Sequence, residues 1–409
     1  MAGVLTNRNA MRILFLSLWF PFPPDNGSKM RIYNLLRALA QRHAITLLSF
    51  VGPGEPIQPD GLKGLCEVIR TVPWRPYRPT RWKALLGLLS PRPRFLVDTD
   101  SPAMRRLLHE EVAQRDYDVI IGSQIGAAVY VAEVRGKAKV FEEVEVGSYL
   151  TRLQASRGLR RLRHAFTWAK HRRFLRRLIA RFDACTVVSE VEKRWLVEIG
   201  VNPARIALIP NGVDLGWYSG VEAHPQADTL IFNGALTYFA NYQAMAYFLE
   251  RIYPLIRAEC PQVRLAITGR TEGVALAGLR ADESVTFTGY VPDIRPLVAG
   301  GSVCIVPLLE GGGTRLKILE AMALGTPVVA TSKGAEGLGA THGEHLLIAD
   351  DPAEFARHTI ALLKDAELRA RLAVQARAFV QARYDWEPIG HQFTALVERV
   401  VERQGAKDD

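Results

Sequence analysis

V-P-L-L-E-G-G-G-T-R-L-K-I-L-E-A-M-A-L-G-T-P-V-V-A-T, residues 306–331, is the stretch on which the reading of this chain turns. Ser302–Val306 is apolar and reads as a strand. Gly311, Gly312 and Gly313 follow as a loop. Leu316, Leu319 and Ala323 share one helical stripe, Glu320 lies on another face, and Gly325 and Pro327 stop the helix before a strand at Val328–Ala330. Glycines at a helix start let backbone approach a ligand, and the unpaired N–H groups there favour an anion. Arg315 and Lys317 place two cations in the first turn, the wrong end of the helix dipole unless an anion binds. A diphosphate would remove that conflict, and Glu320 further along can accept hydrogen bonds from a pair of sugar hydroxyls. The plainer reading is a tight strand–helix turn with exposed basic residues. The cations and the carboxylate together favour a ligand site.

This segment resembles the donor-binding signature of glycosyltransferase family four, retaining enzymes of the GT-B fold. A subgroup of bacterial exopolysaccharide-type transferases is similar in carrying G-G-G-T-R-L-K here. The resemblance implies an α/β chain with two facing Rossmann-like, doubly wound domains and a C-terminal crossover helix. It implies a glutamate pair, usually with seven residues between them, that holds a nucleotide sugar. Glu320 matches the second glutamate and by resemblance binds the ribose. Glu310 stands two residues early for the first, and Gly312 occupies the expected spacing. Gly313 and Thr314 complete the implied donor loop. The nucleotide base is expected at the backbone of Tyr290 and Val291, and the first glycine turn, with Gly27, beside the donor phosphates. The string I-P-N-G-V-D, residues 209–214, resembles the family's interdomain connection. The expected domains are an acceptor-binding domain over 1–207, a nucleotide-sugar domain over 208–385, and a helix over 386–409 that packs back on the first. No Asp-x-Asp stands at a convincing strand end, so neither a metal nor another obligatory cofactor is expected; a nucleotide-diphosphate sugar is the donor substrate.

The 409 residues suffice for two domains, and 48% are apolar. No apolar run approaches a membrane span. Met1–Ala10 is polar, lacks the apolar core of a signal peptide, and reads as a disordered lead-in. Cys66, Cys185, Cys260 and Cys304 are scattered without metal-like spacing, which suggests reduced thiols in a cytoplasm. The formal charge is +10 and a chain so basic usually meets phosphate.

Along the first half, apolar runs at 12–18, 44–51, 67–72, 118–123, 139–143 and 184–189 alternate with helical patterns, as in a doubly wound parallel sheet. Ligands of such sheets lie beyond the strands' carboxyl ends. Ser123 and Gln124 hold one such end, where many relatives place a histidine. Glu142, Glu143 and Glu145 hold another. Clustered carboxylates raise one another's pKa, which makes Glu143 or Glu145 the candidate acceptor-side catalytic group; a solvated acidic turn is the alternative. In the second half, the turn G-A-L-T-Y-F-A-N-Y, residues 234–242, lacks the Arg and Lys that clamp the diphosphate in many relatives. Arg315 and Lys317 are the natural substitutes, and Arg270 is a further cation at a strand end.

Two basic stretches remain. Residues 74–94 mix Trp, Tyr and cations around a short apolar run; residues 151–182 hold ten Arg, one Lys and no acid. On a helical projection the apolar face of 159–182 switches sides near Lys170, so the helix either breaks or packs its halves against different things. A solvated face, nucleic-acid binding and membrane docking each account for part of this. Docking on an anionic membrane surface explains the aromatic rings, the apolar run and the charge together, and no nucleic-acid partner is expected. The expected activity is therefore transfer of a sugar from its nucleotide to a glycan or polyprenyl- or other lipid-linked acceptor, by an enzyme peripheral on the inner face of the cell membrane. A sugar-nucleotide epimerase of the same fold and a non-catalytic basic binding protein are the alternatives.

Overall fold

The computed structural model describes residues 10–55, 57–154, 156–222, 224–311 and 313–408. The lead-in at 1–9 and Gly312 lie outside the described residues. The chain divides into one unit of residues 1–210 with 387–409 and a second of residues 211–386.

The first unit is built on β1 (Arg12–Ser17), β2 (Ala44–Val51), β3 (Val68–Pro73), β4 (Val119–Ser123), β5 (Ala138–Glu142), β6 (Ala184–Val187) and β7 (Ile206–Leu208). All pair in parallel, in the order β3-β2-β1-β4-β5-β6-β7. Ile13, Leu14, Phe15 and Leu16 are fully buried in succession, because helices cover both faces of a parallel sheet and leave no solvent side for polar residues. The strand order reverses between β1 and β4, where a doubly wound sheet opens its ligand crevice. Ser17 pairs with Ser123 and Ser123 with Glu142 at that edge. The first helix, Gly27–Ala40, is capped by the Asn26 side chain, which accepts the Lys29 N–H at 3.1 Å. The last helix, Trp386–Asp408, seats Phe393 and Val397 in the core of this unit, and a Cβ at Gly390 would meet Ala38 Cβ at 2.5 Å. This helix continues through Gly405 to Asp408.

The second unit repeats the plan with β8 (Gln226–Asn233), β9 (Arg264–Thr268), β10 (Val285–Gly289), β11 (Gly301–Val306), β12 (Val328–Ala330) and β13 (Leu347–Ile348). Their order is β10-β9-β8-β11-β12-β13, again parallel, with the reversal between β8 and β11. The segment 217–228, which reads as a linker, holds a short helix at Leu215–Ser219 and the start of β8. The basic helix does not break at Lys170; it runs from Gly158 to Ile179. Leu175, Leu178 and Ile179 enter the core, whereas Leu162 and Phe166 are exposed. The switch in apolar face thus marks where the helix leaves the body of the unit. No described helix is long and apolar enough to cross a membrane, and all four cysteines are free thiols.

Arg31 is the largest fully buried side chain. Its Nε donates to Glu142 Oε1, and its Nη1 to the carbonyls of Ile209 at 3.0 Å and Pro210 at 3.1 Å. One guanidinium therefore ties the first helix, β5 and the chain's exit from β7. Removing one partner of a buried ion pair leaves the other charged and uncompensated, at a cost of about 3–5 kcal/mol. Arg31→Met should lower the stability of the first unit by roughly that amount, read from a denaturant titration.

Candidate functional site

In the second unit the chain at the carboxyl edge of β11 turns through Leu308 and Leu309 into the glycine loop and then the helix Leu316–Ala323. Gly311 and Gly313 have φ of 108° and 79°, backbone that favours glycine. Arg315 sits one residue before the helix and makes no side-chain cap. Rather than leaning into solvent, it is buried; its Nη2 donates to the carbonyls of Gly311 at 2.8 Å and Lys333 at 3.2 Å. The guanidinium thereby holds the glycine loop in shape and puts a fixed positive charge beside it.

Lys317 is also drawn in. Its Nζ donates to Asn241 Oδ1 at 2.7 Å and lies 4.3 Å from the centre of the Phe232 ring. A Cβ at position 234 would fall 2.5 Å from that Nζ, so Gly234 is needed to seat the lysine head. Burial pushes its pKa down to about 7, partly opposed by the charge of Glu320. Glu320 accepts Asn233 Nδ2 at 2.9 Å and a hydrogen bond from the Tyr218 hydroxyl. Burial raises its pKa, and those two donors and Lys317 pull it back. Asn233 also donates to the Lys317 carbonyl at 3.2 Å, which makes it the brace between the end of β8 and the first turn of the helix. Thr314 accepts Asn211 Nδ2 at 3.1 Å. Glu310 Oε1 is buried with no hydrogen-bond partner among the described residues. At the neighbouring strand ends Arg270 stacks over Tyr290 at 5.3 Å, with Tyr290 largely exposed and Val291 half-buried.

The structure thus brings Thr314, Arg315, Lys317 and Glu320 together around one turn, with Glu310 and Gly313 in the loop leading to it. Arg270, Tyr290 and Val291 stand apart on the β9 and β10 side. Sequence reasoning passed over Asn233, Asn241 and Tyr218. An asparagine closing the apolar run Leu230–Phe232 just before a glycine was a usable signal for the first; Tyr218 stood in a segment read as a linker.

The first unit carries a second polar cluster at its own switch point. Glu142 is fully buried between Arg31 and Ser123 Oγ, which donates to it at 2.6 Å. Gln124 and Glu143 have φ of 65° and 55°, left-handed backbone that costs non-glycine residues about 1–3 kcal/mol and persists where the surroundings impose it. Gln124 Nε2 donates to Glu143 Oε2 at 2.8 Å and to Ser28 Oγ at 3.1 Å, while its Oε1 accepts Trp19 Nε1 at 3.0 Å. Burial, then the charge of Glu142, pushes the Glu143 carboxyl up to about 7. Glu145 is exposed. Gly27 opens the first helix under the Asn26 cap, and Lys29 beside it is ion-paired with Asp25 and Glu55. That helix start is less open to an anion than the sequence suggests.

A diphosphate bound at this turn would draw on the ammonium form of Lys317. With that amine pushed down to about 7, the free protein would have to take up a proton to bind at higher pH, so affinity for such a ligand is expected to fall as pH rises. Titration calorimetry with UDP and GDP should show affinity weakening up to about tenfold per pH unit from about pH 7 to 9. Lys317→Arg should flatten the profile, because a guanidinium stays charged.

Residues 25–217 match the model of Glycosyltransferase Family 4, and residues 227–365 match Glycosyl transferases group 1. Phosphatidyl-myo-inositol mannosyltransferase of Mycobacterium leprae is 32% identical over 52% of this chain and 58% of its own length. An uncharacterized 44.6 kDa protein in the cps region of Klebsiella pneumoniae is 31% identical over 38% of this chain and 42% of its own. The chain thus spans about half the length of these relatives. Among solved structures, Anabaena Alr3699/HepE in complex with UDP and glucose superposes with a TM-score of 0.67 at 18% identity, covering 95% of this chain and 99% of that one. That likeness speaks for the fold.

Proposed function

Because the chain belongs to glycosyltransferase family four and has the GT-B fold, we propose that it transfers a sugar, with retention of configuration, from a nucleotide-diphosphate sugar to a glycan or lipid-linked acceptor. The observation that carries this reading is the turn at 310–320. There two cations are held in place beside a glycine loop, and a braced carboxylate follows one helical turn later.

In this reading Gly313, Thr314, Arg315 and Lys317 receive the diphosphate, with Arg270 as a further cation. Glu320 binds the ribose hydroxyls, and Tyr290 and Val291 flank the base. Glu310, with one buried carboxylate oxygen unsatisfied, takes a hydroxyl of the donor. The bond from the sugar's anomeric carbon to the diphosphate breaks, and its electron pair goes to the leaving oxygen. Arg315 and Lys317 stabilise that charge, the largest electrostatic task in such a transfer. The acceptor oxygen bonds to the same face, and its proton passes to the leaving phosphate. Glu143 accepts the acceptor's hydrogen bond and orients it; Gln124 fixes the carboxylate, and Glu145 adds negative charge nearby. Gly27 lies at the helix start next to this cluster. The acceptor class draws support from one relative named for phosphatidyl-myo-inositol and another from a cps region.

Membrane docking belongs to the same reading. Within 74–94, Trp74 packs against Trp19 at 5.3 Å, and Arg81 and Arg94 are spent on Asp98 and on backbone carbonyls. Trp82, Leu85, Leu86, Leu88 and Leu89 remain exposed, Leu89 at 90%. Full withdrawal of one leucine from water contributes roughly 1.5–3 kcal/mol. Each arginine near an anionic surface adds about 1 kcal/mol. A few of each suffice for docking at the cytoplasmic face of a membrane.

Glu320→Gln should cut kcat/KM for the donor roughly ten- to hundredfold while the melting temperature holds. Glu143→Gln should impair use of the acceptor and leave nucleotide affinity intact. Product analysis by NMR should give the donor's own anomer; an inverted product, or an epimer formed without acceptor, would defeat the proposal. Vesicles containing anionic lipid should float the protein at low salt and release it as salt rises, and Leu88→Asp with Leu89→Asp should abolish flotation.

A further inference from the structure

Beside the exposed leucines lies a cavity of about 190 Å³ that the reading above does not use. Pro91 and Arg92 line it together with Arg177 and Arg181, from the end of the basic helix. Val129, Phe174 and Leu178 give it an apolar floor, and Glu133 stands at its edge. Glu133 is already engaged: Arg105 Nε donates to it at 2.9 Å. Arg92, Arg177 and Arg181 make no side-chain hydrogen bond or ion pair among the described residues. A cation at a helix C-terminus complements the dipole, which accounts for Arg177. It does not account for Arg92, which arrives from a different segment.

The position of this cavity is built rather than accidental. Lys170 Nζ donates to the Gly87 carbonyl at 2.6 Å, pinning the basic helix to the turn that carries Leu88 and Leu89. Phe166, Lys170 and Phe174 follow at four-residue spacing along that helix, so the exposed Phe166, the pin and the cavity floor succeed one another on adjoining turns. Only Ser90 and Pro91 stand between Leu89 and Arg92, so the apolar tip and the cationic rim lie within a few residues of each other.

We propose that this cavity binds the headgroup of an anionic phospholipid. The phosphate would meet the three guanidiniums, whose forked donors suit phosphate oxygens, and the first methylenes of the lipid would lie on Phe174 and Leu178. The volume is about that of six water molecules, room for a headgroup and not for a whole lipid. The inference rests on the docking reading and adds a discrete site to it.

The test uses the full chain with dihexanoyl-phosphatidylglycerol below its micelle concentration, dihexanoyl-phosphatidylcholine, and inorganic phosphate, each titrated by calorimetry. Saturable one-to-one binding of the phosphatidylglycerol is expected, at least tenfold tighter than the phosphatidylcholine or inorganic phosphate. Arg177→Gln with Arg181→Gln should weaken it at least tenfold. Arg160→Gln with Arg161→Gln, the same loss of charge elsewhere on the helix, should leave it unchanged. Inorganic phosphate binding as tightly would make this a free-phosphate site and overturn the lipid assignment. Equal losses in the two double variants would overturn the cavity in favour of diffuse charge. Vesicle flotation of the same proteins separates the two readings. Flotation without short-chain lipid binding removes the headgroup site and leaves docking standing; short-chain binding without flotation removes docking and leaves the site.

Discussion

A parallel sheet covered on both faces has nowhere to put chemistry except its edge. In each unit the central strands bury apolar side chains on both faces, and a row of polar residues closes them at the carboxyl end of the sheet. Ser17, Ser123 and Glu142 mark that edge in the first unit, and Asn233 and Thr268 mark it in the second. Both polar clusters sit where the strand order reverses, β1 against β4 and β8 against β11, because there the two neighbouring connections run to opposite faces and leave a gap.

The two clusters solve the problem of buried charge differently. In the first unit Arg31 and Glu142 neutralise each other, and the pair is satisfied further by Ser123 and two backbone carbonyls. Glu143, next along the chain, has an amide as its hydrogen-bond partner; burial and then the charge of Glu142 push its carboxyl up to about 7, with Arg31 and that amide pulling the other way. In the second unit Lys317 and Glu320 lie one turn apart without a direct pairing; each is held by asparagine. Burial disfavours both charges, the ammonium partly relieved by Asn241 and the carboxylate by Asn233 and Tyr218.

The basic surface divides along the same lines. Arg81, Arg94 and Lys170 fasten the segment around residues 76–98 to itself and to the long helix, and so position the leucines. Arg92, Arg177 and Arg181 are left over at the cavity rim. Charge counted from composition does not distinguish these two uses.

Local pattern alone determined the alternation of strands and helices, the glycine turn at 311–313 and the helix after it. Those features depend on residues within a few positions of one another, through hydrophobic period and the φ that glycine permits. It also placed Arg315 and Lys317 at the head of that helix and Glu320 one turn later. Tertiary structure decided what surrounds them. Asn233 reaches Glu320 and Asn241 reaches Lys317 across 87 and 76 residues of chain, and Gln124 reaches Ser28 across 96. Contacts at such separations follow from strand order and register, which no local pattern encodes. For the same reason the burial of Arg31 and Arg315 was illegible: an arginine in sequence reads as surface, and only the packed structure supplies the carbonyls and carboxylate that make its burial tolerable.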